Sequence, residues 1–243
     1  MKEHKYNISI VMPAFNEAQN IEETVRSCFS TLATLGIEGE VVVTDDGSVD
    51  DTLKILNSLA AEFPRLKVVN HEKNEGYGAA LKDAVSSASG RYIVSIDSDG
   101  QFDIGEIPLL IEQKDRGFDI VSGYRKKKKD SLFKIIADRG LNIIVRIMFG
   151  VNYRDTNCAF KIYSPGVLDR IKIEARGYQA PTEILMKLHT LGYSIGQVGI
   201  SHYAREKGKS ALSPLVTIYK MFTFLLYLRL KIHLYRRKII AAL

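Results

Sequence analysis

The residues best equipped for chemistry are Asp97, Asp99 and Gln101, in the stretch Ser95-Ile96-Asp97-Ser98-Asp99-Gly100-Gln101. In extended backbone, side chains two positions apart point the same way, so both carboxylates fall on one side. Gly100 lets the chain curl, which brings the neutral oxygen of Gln101 toward them. The run Tyr92-Ile93-Val94-Ser95-Ile96 just before them reads as a buried strand. Hard oxygen donors at the carboxyl end of a parallel strand suit Mg²⁺ or Mn²⁺ gripping a substrate diphosphate. Taken alone, Asp-x-Asp is also an ordinary solvated acidic turn, and the surrounding chain has to decide between the two.

A site of this kind needs other strand ends at the same edge. Tyr6 to Met12 reads as a strand closed by Pro13-Ala14-Phe15-Asn16-Glu17, and Glu40 to Thr44 as one ending in Asp45-Asp46-Gly47-Ser48. Leu66 to Val69 and Asp119 to Ser122 are further short strands. Helices alternate with them. One covers 20–35, with Ile21, Val25, Cys28, Phe29 and Leu32 on one face. Another is capped by Asp50 or Asp51, a third leads from Gly76-Tyr77-Gly78 to Ser89-Gly90, and a fourth covers 105–116. This rhythm predicts an α/β fold with a mostly parallel, doubly wound sheet flanked by crossover helices. The polar clusters after three of its strands then lie along one edge, where ligands bind. Each cluster is weak by itself, because Asp-Gly-Ser also makes a good turn and N-cap.

The chain of 243 residues is ample for one large domain with its own core, and 46% hydrophobic with 26% charged residues is an ordinary globular composition. Met1-Lys2-Glu3-His4-Lys5 runs straight into a strand, so no signal peptide is expected. Cys28 and Cys158 lack metal-ligand spacing and make no disulfide framework, which fits a reducing compartment. The net charge of +6 is concentrated at one end. Residues 213–243 carry Lys220, Arg229, Lys231, Arg236, Arg237 and Lys238 and no acidic residue, so residues 1–212 balance to zero. Such a tail suits an anionic membrane or a nucleic acid. Nucleic acid is disfavoured, because the body is neutral and lacks an aromatic-basic platform. Gly208-Lys209-Ser210 is not a Walker A motif, since Tyr203 stands where its first glycine belongs.

The stretches VMPAFNEAQNIEETV, VVVTDDGSVDDT, NEGYGAALKDAV and ASGRYIVSIDSDGQF together resemble family-2 glycosyltransferases of the GT-A fold. Within that family, SGYR (122–125), DRGLN (138–142), RDTNCAFKIYS (154–164) and HYAREKGKS (202–210) resemble the dolichol-phosphate mannose synthase and polyprenyl-phosphate hexosyltransferase branch. The resemblance covers residues 6–212. It implies that Pro13, Phe15, Glu17 and Asp46 hold the donor's base and ribose, and that Asp97, Asp99 and Gln101 serve the metal and diphosphate. Phe15 offers a stacking face, although its reading as a simple core residue is nearly as good. One departure is Tyr77, in a turn where family members often carry a basic residue.

The second half supplies cations. By the resemblance, Arg125 and Arg139 receive a lipid phosphate, and Arg205 and Lys209 fold over the donor phosphates from a loop spanning 202–210. Arg139 and Asn142, three residues apart on one helix, are expected to face one direction. Surface salt bridges are an equally good reading of either Arg125 or Arg139 alone. Lys126 to Lys129 reads as a solvated loop. Asp155 and Glu183 are the remaining carboxylates of interest. Asp155 falls in a segment implied to meet the sugar, whereas Glu183 follows Ala180-Pro181-Thr182 at a helix start, where the helix dipole favours a carboxylate without any catalytic role.

From Leu215 to Leu228 the only charge is Lys220, over 14 residues, short of the ~20 needed to span a bilayer. Thr217, Lys220, Thr223, Tyr227 and Lys231 recur at spacings of three and four, a narrow polar stripe on a helix. The expectation is therefore a GT-A glycosyltransferase domain over 1–212 and a basic amphipathic, membrane-associating tail over 213–243. Docking of that helix on its own domain, or on a second copy in a homodimer, is the other reading. The reaction implied is inverting transfer of a hexose from a nucleotide sugar of the GDP-mannose or UDP-glucose type to a polyprenyl phosphate. Asp99, Arg125 and Arg139 would be catalytic, Mg²⁺ or Mn²⁺ would be the cofactor, and the enzyme would sit on the cytoplasmic face of a membrane. Two alternatives stay open: a hydroxyl acceptor with Glu183 or Asp155 as base, and a catalytically silent nucleotide-sugar-binding protein.

Overall fold

The computed structural model describes residues 7–126, 132–205 and 214–243. Lys127 to Lys129 of the basic run, and Lys209 and Ser210 of the 202–210 loop, lie outside the described residues. Seven strands are described: β1 (Asn7–Ala14), β2 (Glu38–Asp45), β3 (Leu66–Asn70), β4 (Tyr92–Ser95), β5 (Ile120–Arg125), β6 (Lys161–Tyr163) and β7 (Ile195–Ile200). They form one sheet in the order β3-β2-β1-β4-β6-β5-β7. The helices are α1 (Ile21–Thr34), α2 (Thr52–Glu62), α3 (Tyr77–Ser87), α4 (Ile107–Asp115), α5 (Leu132–Phe149), α6 (Ala180–Thr190) and α7 (Pro214–Arg236).

The first four strands are parallel, as the sequence predicts. β1 is buried along all but its first residue, which is why it reads as a continuous apolar run with no alternation. Two strands escape the sequence pattern. β6 has three residues, one of them a lysine, and runs antiparallel between β4 and β5. β7 contains two glycines and pairs parallel with β5. Both are made by pairing with neighbours more than by local propensity.

The chain moves outward from β1 to β2 and β3, then returns to β4 on the other side of β1. That reversal opens a crevice at the carboxyl ends of β1 and β4, the usual place for a ligand in an open α/β sheet. Register keeps those ends level: Val11 lies opposite Ser95 and Ala14 opposite Asp45.

Alternate residues of each strand feed opposite layers. Ile8, Ile10, Met12, Val41 and Val43 pack with Ile21, Val25 and Leu56 of α1 and α2, whereas Val11 and Val42 pack with Leu81 of α3 and Ile184 of α6. A third cluster joins α5, α6 and α7: Met221, Leu225, Leu228 and Ile232 are buried with Val145, Phe149, Leu185 and Met186. Much of the segment expected to be a separate tail is thus packed on the body. The polar stripe is partly docked too, since Lys231 Nζ and Tyr227 Oη reach Glu174 at 2.6 and 3.3 Å. Val216, Ile218, Phe222, Leu226 and Leu230 remain exposed on the outside, so α7 is apolar on two faces. No helix among the described residues is long and apolar enough to cross a membrane.

Candidate active site

Asp97 and Asp99 follow β4 directly, in the crevice beside β1. Asp97 is half-buried, and its Oδ1 accepts a hydrogen bond from the Tyr77 hydroxyl at 2.9 Å. Burial, then the neighbouring Asp99 charge, push its carboxyl up to about 7, against the pull of Tyr77, Arg125 and Lys161. Asp99 Oδ1 accepts from the Gln101 backbone N–H at 3.1 Å, which holds the turn. The Gln101 side chain donates through Nε2 to the Tyr203 carbonyl at 2.9 Å, and Tyr203 N–H returns a bond to the Gln101 carbonyl at 2.9 Å. Gln101 thereby ties the Asp97–Asp99 turn to the segment that carries Arg205.

Arg205 reaches across to the segment that follows β1. Its Nη2 lies 2.7 and 2.8 Å from the two oxygens of Glu17, and its Nη1 lies 3.8 Å from Asp99 Oδ2. Burial raises the Glu17 pKa, and Asn20 and Arg205 draw it back without cancelling the rise. Glu17, Asp99, Arg205 and Gln101 are therefore brought together as expected. Pro13 is the next-to-last residue of β1, and its carbonyl accepts from the Ser98 hydroxyl at 2.8 Å. Phe15 follows, half-exposed, and is not part of the buried core.

Asp46 has a different setting from that of a simple ligand contact. It is buried, and it accepts backbone N–H bonds from Glu75 and Gly76, both at 2.8 Å. His71 Nδ1 lies 2.8 Å from the same carboxylate, while His71 Nε2 lies 3.0 Å from Asp83. Burial lowers the affinity of His71 for a proton, but the two carboxylates outweigh it and the pKa is raised. Asp46 thus anchors the loop that leads into Tyr77.

Arg125, at the end of β5, is held by Asp155 through two bonds of 2.7 and 2.9 Å and by Asp138 at 3.0 Å. The pair with Asp155 is nearly buried and bidentate, a geometry that fixes a guanidinium firmly. Lys161, wholly buried in β6, bonds to the Cys158 carbonyl, and its pKa is lowered by burial. The charges of Arg125 and Lys161 act on Asp97, and those of Asp155, Asp97 and Arg125 act on Lys161. Arg139 and Asn142, three residues apart on α5, differ in burial. Arg139 is exposed, whereas Asn142 is buried, with its Oδ1 accepting from Thr156 N–H at 2.9 Å. Glu183 is wholly buried: it accepts from the backbone of Glu174 and Ala175 and lies 2.6 Å from the buried Lys187. It holds a loop and a lysine, and faces no substrate space.

Sequence reading left Tyr77 without a role and overlooked His71, Tyr178 and Lys161. A lysine inside the apolar stretch Cys158-Ala159-Phe160-Lys161-Ile162-Tyr163 was the available signal for the last. Asp97 and Asp99 fit a divalent ion of the kind bound by one or two carboxylates together with substrate phosphates. Among the described residues, no three His, Cys, Asp or Glu side chains cluster as a self-contained cage.

The sheet order, with a site at the switch point between β1 and β4, defines a GT-A-like fold. Solved structures of that shape include glucosyl-3-phosphoglycerate synthase from Mycobacterium tuberculosis with phosphoglyceric acid (TM-score 0.70, 24% identity, 94% of this chain and 80% of that one). A crystal structure described as a mycobacterial protein superposes at TM-score 0.73, with 22% identity over 92% of this chain and 75% of that one. The profile of Glycosyl transferase family 2 matches residues 9–174, and the chain belongs to that family. Among its relatives are an undecaprenyl-phosphate 4-deoxy-4-formamido-L-arabinose transferase from Klebsiella pneumoniae, 30% identical over 85% of this chain and 62% of that protein, and a dodecaprenyl-phosphate galacturonate synthase from Rhizobium johnstonii, 30% identical over 84% and 61%. The chain therefore spans about 62% of the length of the curated relatives it matches.

Proposed function

We propose that this protein transfers a hexose from a nucleotide sugar to a polyprenyl phosphate, with inversion at the anomeric carbon. The observation that carries the reading is the arrangement of Asp97 and Asp99 at the switch point, faced by the Glu17–Arg205 pair. The relatives named for undecaprenyl and dodecaprenyl phosphate supply the acceptor class. A neighbour of the same fold, crystallised with Mn²⁺ and uridine diphosphate, supports a divalent ion and a nucleoside diphosphate.

In this reading Glu17, with Pro13 and Phe15, lines the base and ribose end of the donor, and Asp46 acts there by holding the backbone of Glu75 and Gly76. A divalent ion held by Asp97 and Asp99, with Gln101 beside them, supplies Lewis-acid neutralisation of the departing diphosphate. Arg205 exchanges its carboxylate partners for donor phosphates, and Lys209 joins it on those phosphates to exclude water. Arg125 and Arg139 receive the acceptor phosphate. Asp155 and Asp138 orient Arg125 for that contact. The acceptor is already an anion, so its attack needs no general base, and catalysis rests on alignment and charge stabilisation.

A hydroxyl acceptor would need such a base. Glu183 is sealed in the core and Asp155 is committed to Arg125, which favours the phosphate acceptor. For localisation we propose a peripheral site on the cytoplasmic face of a membrane. Both α7 and α5, which pack on each other, expose apolar residues, among them Ile136, Ile143 and Ile147 on α5, and basic residues flank both helices. Incubation with labelled UDP- and GDP-sugars, Mn²⁺ and undecaprenyl or dolichyl phosphate tests the proposal. Label entering the lipid phase supports it, and label reaching only hydroxyl acceptors or water overturns it.

A further inference from the structure

The turn Gly76-Tyr77-Gly78 does more than start α3. Gly76 has φ +101°, a value that favours glycine, and a Cβ on it would overlap the Arg176 carbonyl oxygen. A Cβ on Gly78 would overlap the Ala175 carbonyl oxygen, and Gly78 N–H donates to the Arg176 carbonyl at 2.8 Å. Two glycines thus let the 175–178 backbone lie directly across the start of α3. The result is a stack of Tyr178 on Tyr77, with ring centroids 5.0 Å apart and planes 25° from parallel. Beneath this stack, the Tyr77 hydroxyl donates to Asp97 Oδ1 at 2.9 Å.

A carboxylate at the end of a strand can rotate about its last bond, and a ligand set needs one rotation. We infer that Tyr77 is a positioning residue for Asp97: its hydroxyl occupies Oδ1 and sets the carboxylate's orientation, while Tyr178 pins the Tyr77 ring. The inference rests on the reading of Asp97 and Asp99 as ligands of a divalent ion held with the donor diphosphate. Three further observations support it. Tyr178 is 37% exposed, and the ring it stacks on contacts Asp97, so the stack has one side open to solvent and one at the carboxylate. Its hydroxyl pKa is pushed up to about 12, first by burial and then by the charges of Asp97, Asp99 and Glu17 nearby. Asp46, clamped by His71, holds the N–H groups of Glu75 and Gly76 and so fixes the approach to Tyr77 from the other side. The whole turn is built to hold one hydroxyl against one carboxylate.

Tyr77→Phe removes the hydroxyl and keeps the stack. Bound Mn²⁺ is measured by electron paramagnetic resonance in the presence of UDP, with GDP in a second arm, for the unmodified protein, Tyr77→Phe, Tyr178→Ala and Asp99→Asn. We expect Tyr77→Phe to raise the Mn²⁺ half-saturation about tenfold, the loss of one hydrogen bond to a charged group. Tyr178→Ala should raise it less, by about threefold by the same reckoning. The transfer rate of Tyr77→Phe should recover at saturating Mn²⁺, which a general loss of folding would not allow. Melting curves of Tyr77→Phe should stay close to those of the unmodified protein. Mn²⁺ binding that is sensitive to Asp99→Asn but unmoved by Tyr77→Phe overturns the positioning role alone. Failure of the unmodified protein to bind Mn²⁺ with either nucleotide overturns both this inference and the metal reading beneath it.

Discussion

Arg205 Nη2 lies 2.7 Å from Glu17 Oε1, across 188 residues of chain, and the same guanidinium lies 3.8 Å from Asp99. On the proposed reading, one cation thus spans the nucleoside end and the diphosphate end of the crevice. Loss of that cation should weaken nucleotide binding. We expect Arg205→Ala to reduce UDP or GDP affinity in the presence of Mn²⁺ about tenfold or more, the scale of one charged hydrogen-bonded contact. The melting temperature should fall as well, since Glu17 is buried and loses a charged partner. Titration calorimetry checks this, and unchanged affinity would remove Arg205 from the donor site.

Asp99→Asn should lower transfer by orders of magnitude without unfolding the protein. Asp99 sits in a turn at the site's rim and outside the hydrophobic clusters. Unchanged turnover of the purified, folded variant would rule out its assignment.

Asp97 sets a pH dependence. Its carboxyl is raised from 3.8 to about 7 in the fold. Between those values the native state holds a proton that the unfolded chain has lost, so stability falls as pH rises toward 7. His71, also raised, contributes stability that is likewise lost as pH rises through its folded pKa. On the proposed metal reading, Mn²⁺ would compete with the proton on Asp97. Metal-free protein should therefore melt higher at pH 6 than at pH 8, with Asp97→Asn flattening part of the slope, and Mn²⁺ should bind more weakly at pH 6. A metal affinity independent of pH over this range would contradict the assignment.

The two faces of α7 should separate by mutation. Leu225→Ala or Leu228→Ala on the buried face should cost about 2–5 kcal/mol by denaturant unfolding, the range for emptying a packed core position. Removal of everything after Ser213 should give an aggregated protein, because Leu185 and Met186 lose their cover. Phe222→Ser with Leu226→Ser, on the exposed face, should leave stability nearly unchanged and reduce flotation with anionic liposomes. Equal flotation would argue against membrane contact through this face.

Glu183→Gln should act through folding. It strips a wholly buried Lys187 of its closest carboxylate partner, at 2.6 Å, and breaking such a pair costs about 3–5 kcal/mol. Transfer per folded molecule should be preserved. A folded Glu183→Gln protein without activity would revive the hydroxyl-acceptor reading.

Much of the site was legible in the chain because strand ends announce themselves locally. Apolar runs that stop at Pro13, at Asp45 and at Asp97 mark β1, β2 and β4 by composition alone, and parallel pairing then forces their carboxyl ends together. By itself the sequence determined the α/β class, the order of its first elements and the convergence of Glu17, Asp97, Asp99 and Gln101. Only the tertiary structure decided what each charge is paired with. Arg125 on Asp155, Tyr77 on Asp97, Glu183 on Lys187 and the inner face of α7 on α5 and α6 are contacts between elements. Periodicity reports which face of a helix or strand is apolar, and is silent on what meets it. The distance of a carboxylate from a cation is set by sheet order and register, and β6, three residues long, supplies both Lys161 and the pairing that joins β4 to β5. A strand that short leaves no period to read, so the charge network it anchors appears only when the sheet closes around it.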